Sequence, residues 1–305
     1  MQIGMIGLGR MGANMARRLA QGGVQVVGFD RDPAGRAALA QEGVIKPADS
    51  LAALVAALAA PRLVWTMLPA GAPTEQTIID LRALLARGDL IIDGANGYFA
   101  DSQRHARELA ESGIGFVDVG VSGGIWGLAD GYGLMIGGEP ADVARVEPIA
   151  RILAPAPDAG WLHCGPAGAG HYVKMVHNGI EYGLMQAYAE GFALMQSRED
   201  LQLDIAKIAQ SWCHGTVIRS WLLDLTAEFL KQDSTLANVE PYVADSGEGR
   251  WTALEAIQRG IPTPVMNLAL IARFASQGKD DFAAKLLAKM RQGFGGHAIR
   301  EKPKS

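Results

Sequence analysis

The segment "GLGRMG" at residues 7–12 closes the apolar run "QIGMIG" and opens the helical pattern "GANMARRLAQGG". It sets Gly7, Gly9 and Gly12 in a Gly-x-Gly-x-x-Gly turn between a strand and a helix. The first glycine permits the tight turn, the second lets the backbone approach a pyrophosphate, and the third allows close helix–strand packing. The helix start then points free N–H groups at the anion. Leu8, Arg10 and Met11 complete the turn, so all six residues form the candidate cradle. "VQVVGFD" reads as the next strand and ends on Asp30, 18 residues beyond Gly12. That is close to the roughly 20 at which an acid bonds the adenosine ribose. In "FDRDP", Asp30 and Asp32 flank Arg31. A carboxylate aimed at the ribose accepts from the 2′-hydroxyl of NAD and repels the 2′-phosphate of NADP, a repulsion that Arg31 would partly offset. The charges favour NAD over NADP.

The chain is long enough for one large domain or two ordinary ones, at 305 residues. Further apolar runs, "RLVWTML", "DLIIDG", "GFVDVG" and "GLMIGG", are separated by helical stretches such as "PTEQTIIDLRALLARG" and "SQRHARELAESG". That alternation predicts repeated βαβ units and a mainly parallel, doubly wound Rossmann-type sheet over residues 1–164. Glycine and proline punctuate "HCGPAGAG". Beyond it the strand signal stops and helical spacing takes over, in "DIAKIAQSWCHG", "SWLLDLTAEFLKQ", "WTALEAIQRG", "PVMNLALIARFAS" and "DDFAAKLLAKMRQ". The expected fold is α/β followed by an all-helical C-terminal domain over 165–305.

A net charge of −4 marks no surface for nucleic acid or anionic membrane. The longest apolar-looking run, "SLAALVAALAA", is too short to span a bilayer, and the start of the chain lacks the features of a signal peptide. Two cysteines, Cys164 and Cys213, show no metal-ligand spacing and read as reduced thiols. The expectation is a soluble cytoplasmic protein without a metal.

"KMVHNGIEYG" at 174–183 interrupts an apolar helical pattern with Lys174, His177, Asn178, Glu181 and Tyr182. Those positions run i, i+3, i+4, i+7 and i+8, so they share one stripe of a helix. A solvated face would account for the lysine and the glutamate. Asn, His and Tyr suit such a face poorly, and Gly170, Gly179 and Gly183 weaken the helix unless something approaches it closely. A base, an acid, an amide and a phenol in one row suggest the wall of a polar cleft.

With "GPAGAGHYV" before it, this motif resembles the 6-phosphogluconate dehydrogenases, specifically their shorter NAD-type members. "GLGRMGANMA", "IIDGANGYF", "GVSGGIWGLADG", "DSGEGRWTALEA", "ARFAS" and "RQGFGGH" match as well, so the resemblance runs from the first strand to His297. It implies oxidation of 6-phosphogluconate at carbon 3, loss of carbon dioxide and protonation of the enediol, with no metal. Residue by residue, it implies that Lys174 is the base and Glu181 the acid. It places Asn178 and His177 at the sugar hydroxyls and the nicotinamide side, and Tyr182 at the phosphate. Ser122, Gly123 and Gly124 in "VSGG" would bind the carboxylate end. Asn96 would meet both cofactor and substrate, although on sequence alone "DGANG" is an ordinary Asn-Gly turn.

A fork-shaped guanidinium suits a phosphate dianion, and the resemblance gives that place to Arg273. It carries Arg291 and His297 into the site of a neighbouring subunit, which implies a homodimer or homotetramer. On its own, Arg291 is a cation at a helix C-terminus, where cations are favoured anyway. The chain departs from the long members in two respects: it lacks their second helical copy, whose packing surface partner subunits would supply, and it lacks a lysine. They place a phosphate-binding lysine shortly before the loop containing a Trp-Thr pair, whereas this chain reads "EPYVADSGEGRWT", with Tyr242 nearest that position.

Two other readings stay open. One is a β-hydroxyacid dehydrogenase acting on a small acid without decarboxylation, which needs neither Glu181 nor a phosphate cluster. The other is a non-catalytic nucleotide-binding regulator, which needs neither Lys174 nor Glu181.

Overall fold

In the computed structural model, which describes residues 1–279, 281–295, 298 and 300, the glycine turn joins strand β1 (Gln2–Ile6) to helix α1 (Arg10–Gln21). The chain then runs β2 (Gln25–Phe29), α2 (Pro33–Gln41), β3 (Ile45–Pro47), α3 (Leu51–Ala57), β4 (Leu63–Thr66), α4 (Ala72–Leu84), β5 (Leu90–Asp93), α5 (Phe99–Ala110) and β6 (Gly115–Ser122). A short α6 (Gly127–Asp130), β7 (Gly133–Gly138), α7 (Pro140–Leu153) and β8 (Trp161–Gly165) follow. Then come the long helix α8 (Ala169–Gln196), α9 (Ile205–Trp212), α10 (Trp221–Gln232), α11 (Glu248–Arg259), α12 (Pro264–Ser276) and α13 (Asp281–Gly295).

Eight strands form one sheet in the order β3-β2-β1-β4-β5-β6-β7-β8. Every neighbouring pair is parallel except β6 and β7. Strand order reverses between β1 and β4, and in such sheets ligands bind outside the carboxyl ends of the strands at that switch point. The glycine turn leaves the carboxyl end of β1, so the topology itself puts it there.

Helices cover both faces of the sheet. Ile3, Met5, Trp65, Leu90 and Ile92 pack on one side with α1 and α7. Ile6, Val27, Val64 and Ile91 pack on the other with α3, α4 and α5. Adjacent strand residues thus feed opposite cores, which is why the strands read as continuous apolar runs.

The chain divides into units Met1–His177 and Asn178–Ser305, and the division falls inside α8 rather than in the glycine-rich segment before it. In the second unit one apolar cluster joins the end of α8 to α9 and α10 through Phe192, Ile205, Ala209, Leu223, Ala227 and Leu230. A smaller one joins Tyr182 of α8 to Ala269 and Leu270 of α12. Among the described residues, no helix is long and apolar enough to cross a membrane.

Candidate active site

The glycine turn has the shape its spacing predicts. Gly7 sits at φ +89°, and a Cβ there would lie 2.3 Å from the Met67 carbonyl oxygen. A Cβ on Gly12 would lie 1.9 Å from the Gly7 carbonyl oxygen, so α1 starts hard against the turn only because residue 12 has no side chain. Gly9 caps α1 with no side-chain partner, and a Cβ there would meet nothing within 4 Å. The helix start therefore presents backbone N–H groups to open space, which fits a pyrophosphate. Arg10 is exposed and Met11 half-buried at that start.

Asp30 closes the turn from the side. Its carboxylate accepts from Leu8 N at 2.6 Å and from Asp32 N at 2.9 Å, which locks the end of β2 to the glycine turn. Asp32 instead accepts from Ala34 N and Gly35 N and so caps α2. Of the two acids that flank the exposed Arg31, only Asp30 reaches the turn.

Two more candidate segments lie in the first unit. Ser122 ends β6, and Gly123 and Gly124 follow at φ +125° and +53°, a backbone that side chains resist. Asn14 of α1 approaches the carbonyl of Ile125 just beyond, which ties this loop to the helix that opens the glycine turn. Asn96 is exposed on the turn that follows β5. Lys174 is 7% exposed, and its stem lies on β6, where a Cβ at Gly120 would come within 2.3 Å of the Lys174 Cβ. Gly170 lets the same helix approach the sheet, since a Cβ there would sit 2.4 Å from the Met135 carbonyl oxygen and 2.6 Å from that of Asp118.

In the same helix Asn178 and Tyr182 are buried, while His177 and Glu181 are half-buried. The stripe is thus no plain solvated face. In the second unit the Arg273 guanidinium stacks on the Tyr182 ring at 3.4 Å from its centroid and donates to Ala244 O. The Tyr182 hydroxyl lies 3.5 Å from Ser246 Oγ, which donates to Glu248. Gly179 admits the side chains of Thr252 and Met266 close to α8. Tyr242, nearest to the missing lysine, is 62% exposed. Arg291 is exposed on α13 and makes no hydrogen bond or ion pair among the described residues. His297 lies outside the described residues.

Residues 2–161 match the family model for the NAD binding domain of 6-phosphogluconate dehydrogenase, and residues 170–303 match the 6-phosphogluconate dehydrogenase C-terminal domain. The chain belongs to the 6-phosphogluconate dehydrogenase family. It is 42% identical over 304 residues, 99% of each chain, to the NAD(+)-dependent, decarboxylating 6-phosphogluconate dehydrogenase of Haloferax volcanii. A Bacillus subtilis enzyme of the same description is 38% identical over 92% of this chain, which spans 62% of that longer protein. The 6-phosphogluconate dehydrogenase of Plasmodium falciparum, solved alone, with NADP+ and with 6-phosphogluconate, superposes with a TM-score of 0.84 at 30% identity, over 100% of this chain and 67% of that one.

Several polar residues around the family's helix motif are not visible as site residues in the sequence. Asp118 on β6 is fully buried and accepts from Gly168 N at 2.6 Å and His171 N at 2.8 Å, so it caps α8. Burial pushes its carboxyl up, against the pull of His171 and the two backbone donors. His171 bonds Ser102 of α5. Arg250, directly before Trp251 and Thr252, pairs with Asp245 and lies 4.8 Å over the Phe274 ring, next in sequence to Arg273. Burial alone would raise Asp245, but Arg250, the Gly247 N–H and Arg273 hold it below the usual carboxylate range. The family pattern points to a lysine and so passes over this cation, though its position beside the Trp-Thr pair is a usable signal. Among the described residues, no cluster of His, Cys, Asp and Glu could hold a metal ion.

Proposed function

We propose that this chain converts 6-phosphogluconate and NAD to ribulose 5-phosphate, carbon dioxide and NADH. The observation that carries the reading is the family's polar stripe on α8, with Lys174 and Asn178 both buried. NAD, held at the glycine turn, supplies the hydride acceptor. Neutral Lys174 takes the proton of the 3-hydroxyl as carbon 3 is oxidised, and as an ammonium it donates to the new ketone oxygen while the carboxylate leaves. Glu181 then delivers a proton to carbon 1 of the enediol.

Ser122, Gly123 and Gly124 hold the carboxylate end, Asn96 orients cofactor and substrate together, and His177 and Asn178 take sugar hydroxyls. Tyr182 and Arg273 bind the phosphate, with Arg250 as the second cation. Asp30 selects NAD by accepting from the adenosine ribose.

The second unit supports assembly of copies. Leu254, Ile257, Val265, Leu268, Ile271 and Phe282 are all more than half exposed on α11, α12 and α13, large apolar side chains that a second chain would cover. Those exposed side chains and the family resemblance support a homodimer or homotetramer, and the resemblance alone gives Arg291 and His297 a role at the neighbour's substrate. Cys164 and Cys213 are free thiols, which suits a reducing compartment such as the cytoplasm.

The test is 6-phosphogluconate carrying deuterium at carbon 3. Deuterated NADH and a slowed rate are expected. Reduction of NAD without transfer of that label contradicts oxidation at carbon 3.

A further inference from the structure

His171, the third residue of α8, is 1% exposed, and no step above uses it. Its backbone N–H donates to Asp118, and its Nδ1 lies 2.7 Å from Ser102 Oγ. Its Nε2 is buried without a partner. A Cβ at Gly97 would sit 3.3 Å from both Cε1 and Nδ1 of the ring, so the imidazole lies directly on the backbone of the Asn96–Gly97 turn. Any side chain at residue 97 would press into that contact. Lys174 follows three positions later in the helix, on the same face, with its stem set on Gly120. One imidazole therefore touches the turn that bears Asn96 and the helix α5 that this turn leads into, and it shares a helix turn with the base.

A histidine that only filled the core would be expected to have both nitrogens satisfied or to be replaced by an apolar side chain. Here one nitrogen is used, and its bond to Ser102 fixes the plane of the ring against Gly97. We propose that His171, held by Ser102, is a positioning residue. It sets the Asn96–Gly97 turn at a fixed place relative to Lys174, and so sets where cofactor and hydroxy acid lie against the base. The inference rests on the roles given above to Asn96 and Lys174.

The test is a double-mutant cycle with His171→Leu, Asn96→Ala and both together, read as kcat/KM for 6-phosphogluconate and as the Kd for NADH, with thermal melting as the control for folding. If His171 acts through the turn, each single change lowers kcat/KM about tenfold or more, and the double is no worse than the weaker single. His171→Asn, whose amide reaches the place of Nδ1, should recover most of the loss, and His171→Gln should not. Losses that multiply in the double overturn the proposal. So does recovery by Gln in place of Asn, or a loss that follows melting temperature alone. Failure of the wild-type protein to turn over 6-phosphogluconate would overturn the functional reading instead. The Kd for NADH in the same four proteins would then decide: coupled losses support His171 as a positioning residue, and independent losses refute it.

Discussion

The two units solve the burial problem in different ways. In the first, a sheet is covered by helices on both faces, and the candidate site residues sit at strand ends whose places the sheet dictates. Asp30, Asp118 and Ser102 each hold one segment against another through a hydrogen bond. In the second, two small clusters of side chains carry the packing, and large apolar residues such as Leu268 at 63% and Phe282 at 77% exposure face outward. The first unit forms its candidate nucleotide cradle by itself. The second holds its cations on rings, a carbonyl and the Asp245 carboxylate, and it leaves large apolar side chains exposed. On the proposed reading, recognition of the nucleotide belongs to one chain and completion of the substrate site to an assembly of copies.

The change expected to break that division most severely is Lys174→Met. It should lower kcat about 10³-fold while the Kd for NADH changes less than about twofold, as measured by steady-state kinetics and NADH fluorescence. Arg273→Ala acts on the second unit alone. It should raise the KM for 6-phosphogluconate about thirtyfold with little change in kcat, the scale of one charge-assisted hydrogen bond to a phosphate. An unchanged KM would remove Arg273 from the phosphate site. Leu268→Glu tests the exposed surface directly. Sedimentation should then show a smaller species whose NADH binding is intact, whereas an unaltered mass would mean that this face is not an interface.

Asp30→Ala should lower the preference for NAD over NADP about tenfold in kcat/KM, and unchanged preference would leave selection to other residues. The smallest effect concerns a pair that belongs only to the first unit. The Arg104 guanidinium bonds Glu75, and despite partial burial, with help from His105, it holds that carboxyl at about 2 against an ordinary 4.5. The folded value is depressed, so the stabilisation is complete above pH 4.5 and is lost as pH falls toward 2. About a third of each partner is exposed, which limits the gain to about 1 kcal/mol. Denaturant titrations of Glu75→Gln and wild type should differ at neutral pH and converge near pH 2.

Much of the first unit was legible in the sequence, because glycine spacing and apolar runs report turn geometry and double-sided burial directly. β3 escaped because it is three residues long with one buried side chain, Ile45, and β8 because it alternates weakly and leaves Leu162 exposed. Asp32, which flanks Arg31 opposite Asp30, caps α2, a role that Asp-Pro before a helical run also allows. The five polar residues of α8 were legible from spacing alone. Their supports were not: Asp118, Ser102 and His171 lie far apart in sequence and meet only through the sheet. Arg250 stayed hidden because the family pattern has a lysine near that loop, although either cation can face a phosphate.

The most direct test of the central claim is the ratio of carbon dioxide to NADH released as purified protein turns over 6-phosphogluconate with NAD. A ratio of one to one, with ribulose 5-phosphate as product, is the result expected of a base and an acid on one helix stripe. NADH formed with no carbon dioxide would contradict it, and would make the chain a dehydrogenase that stops at the keto acid.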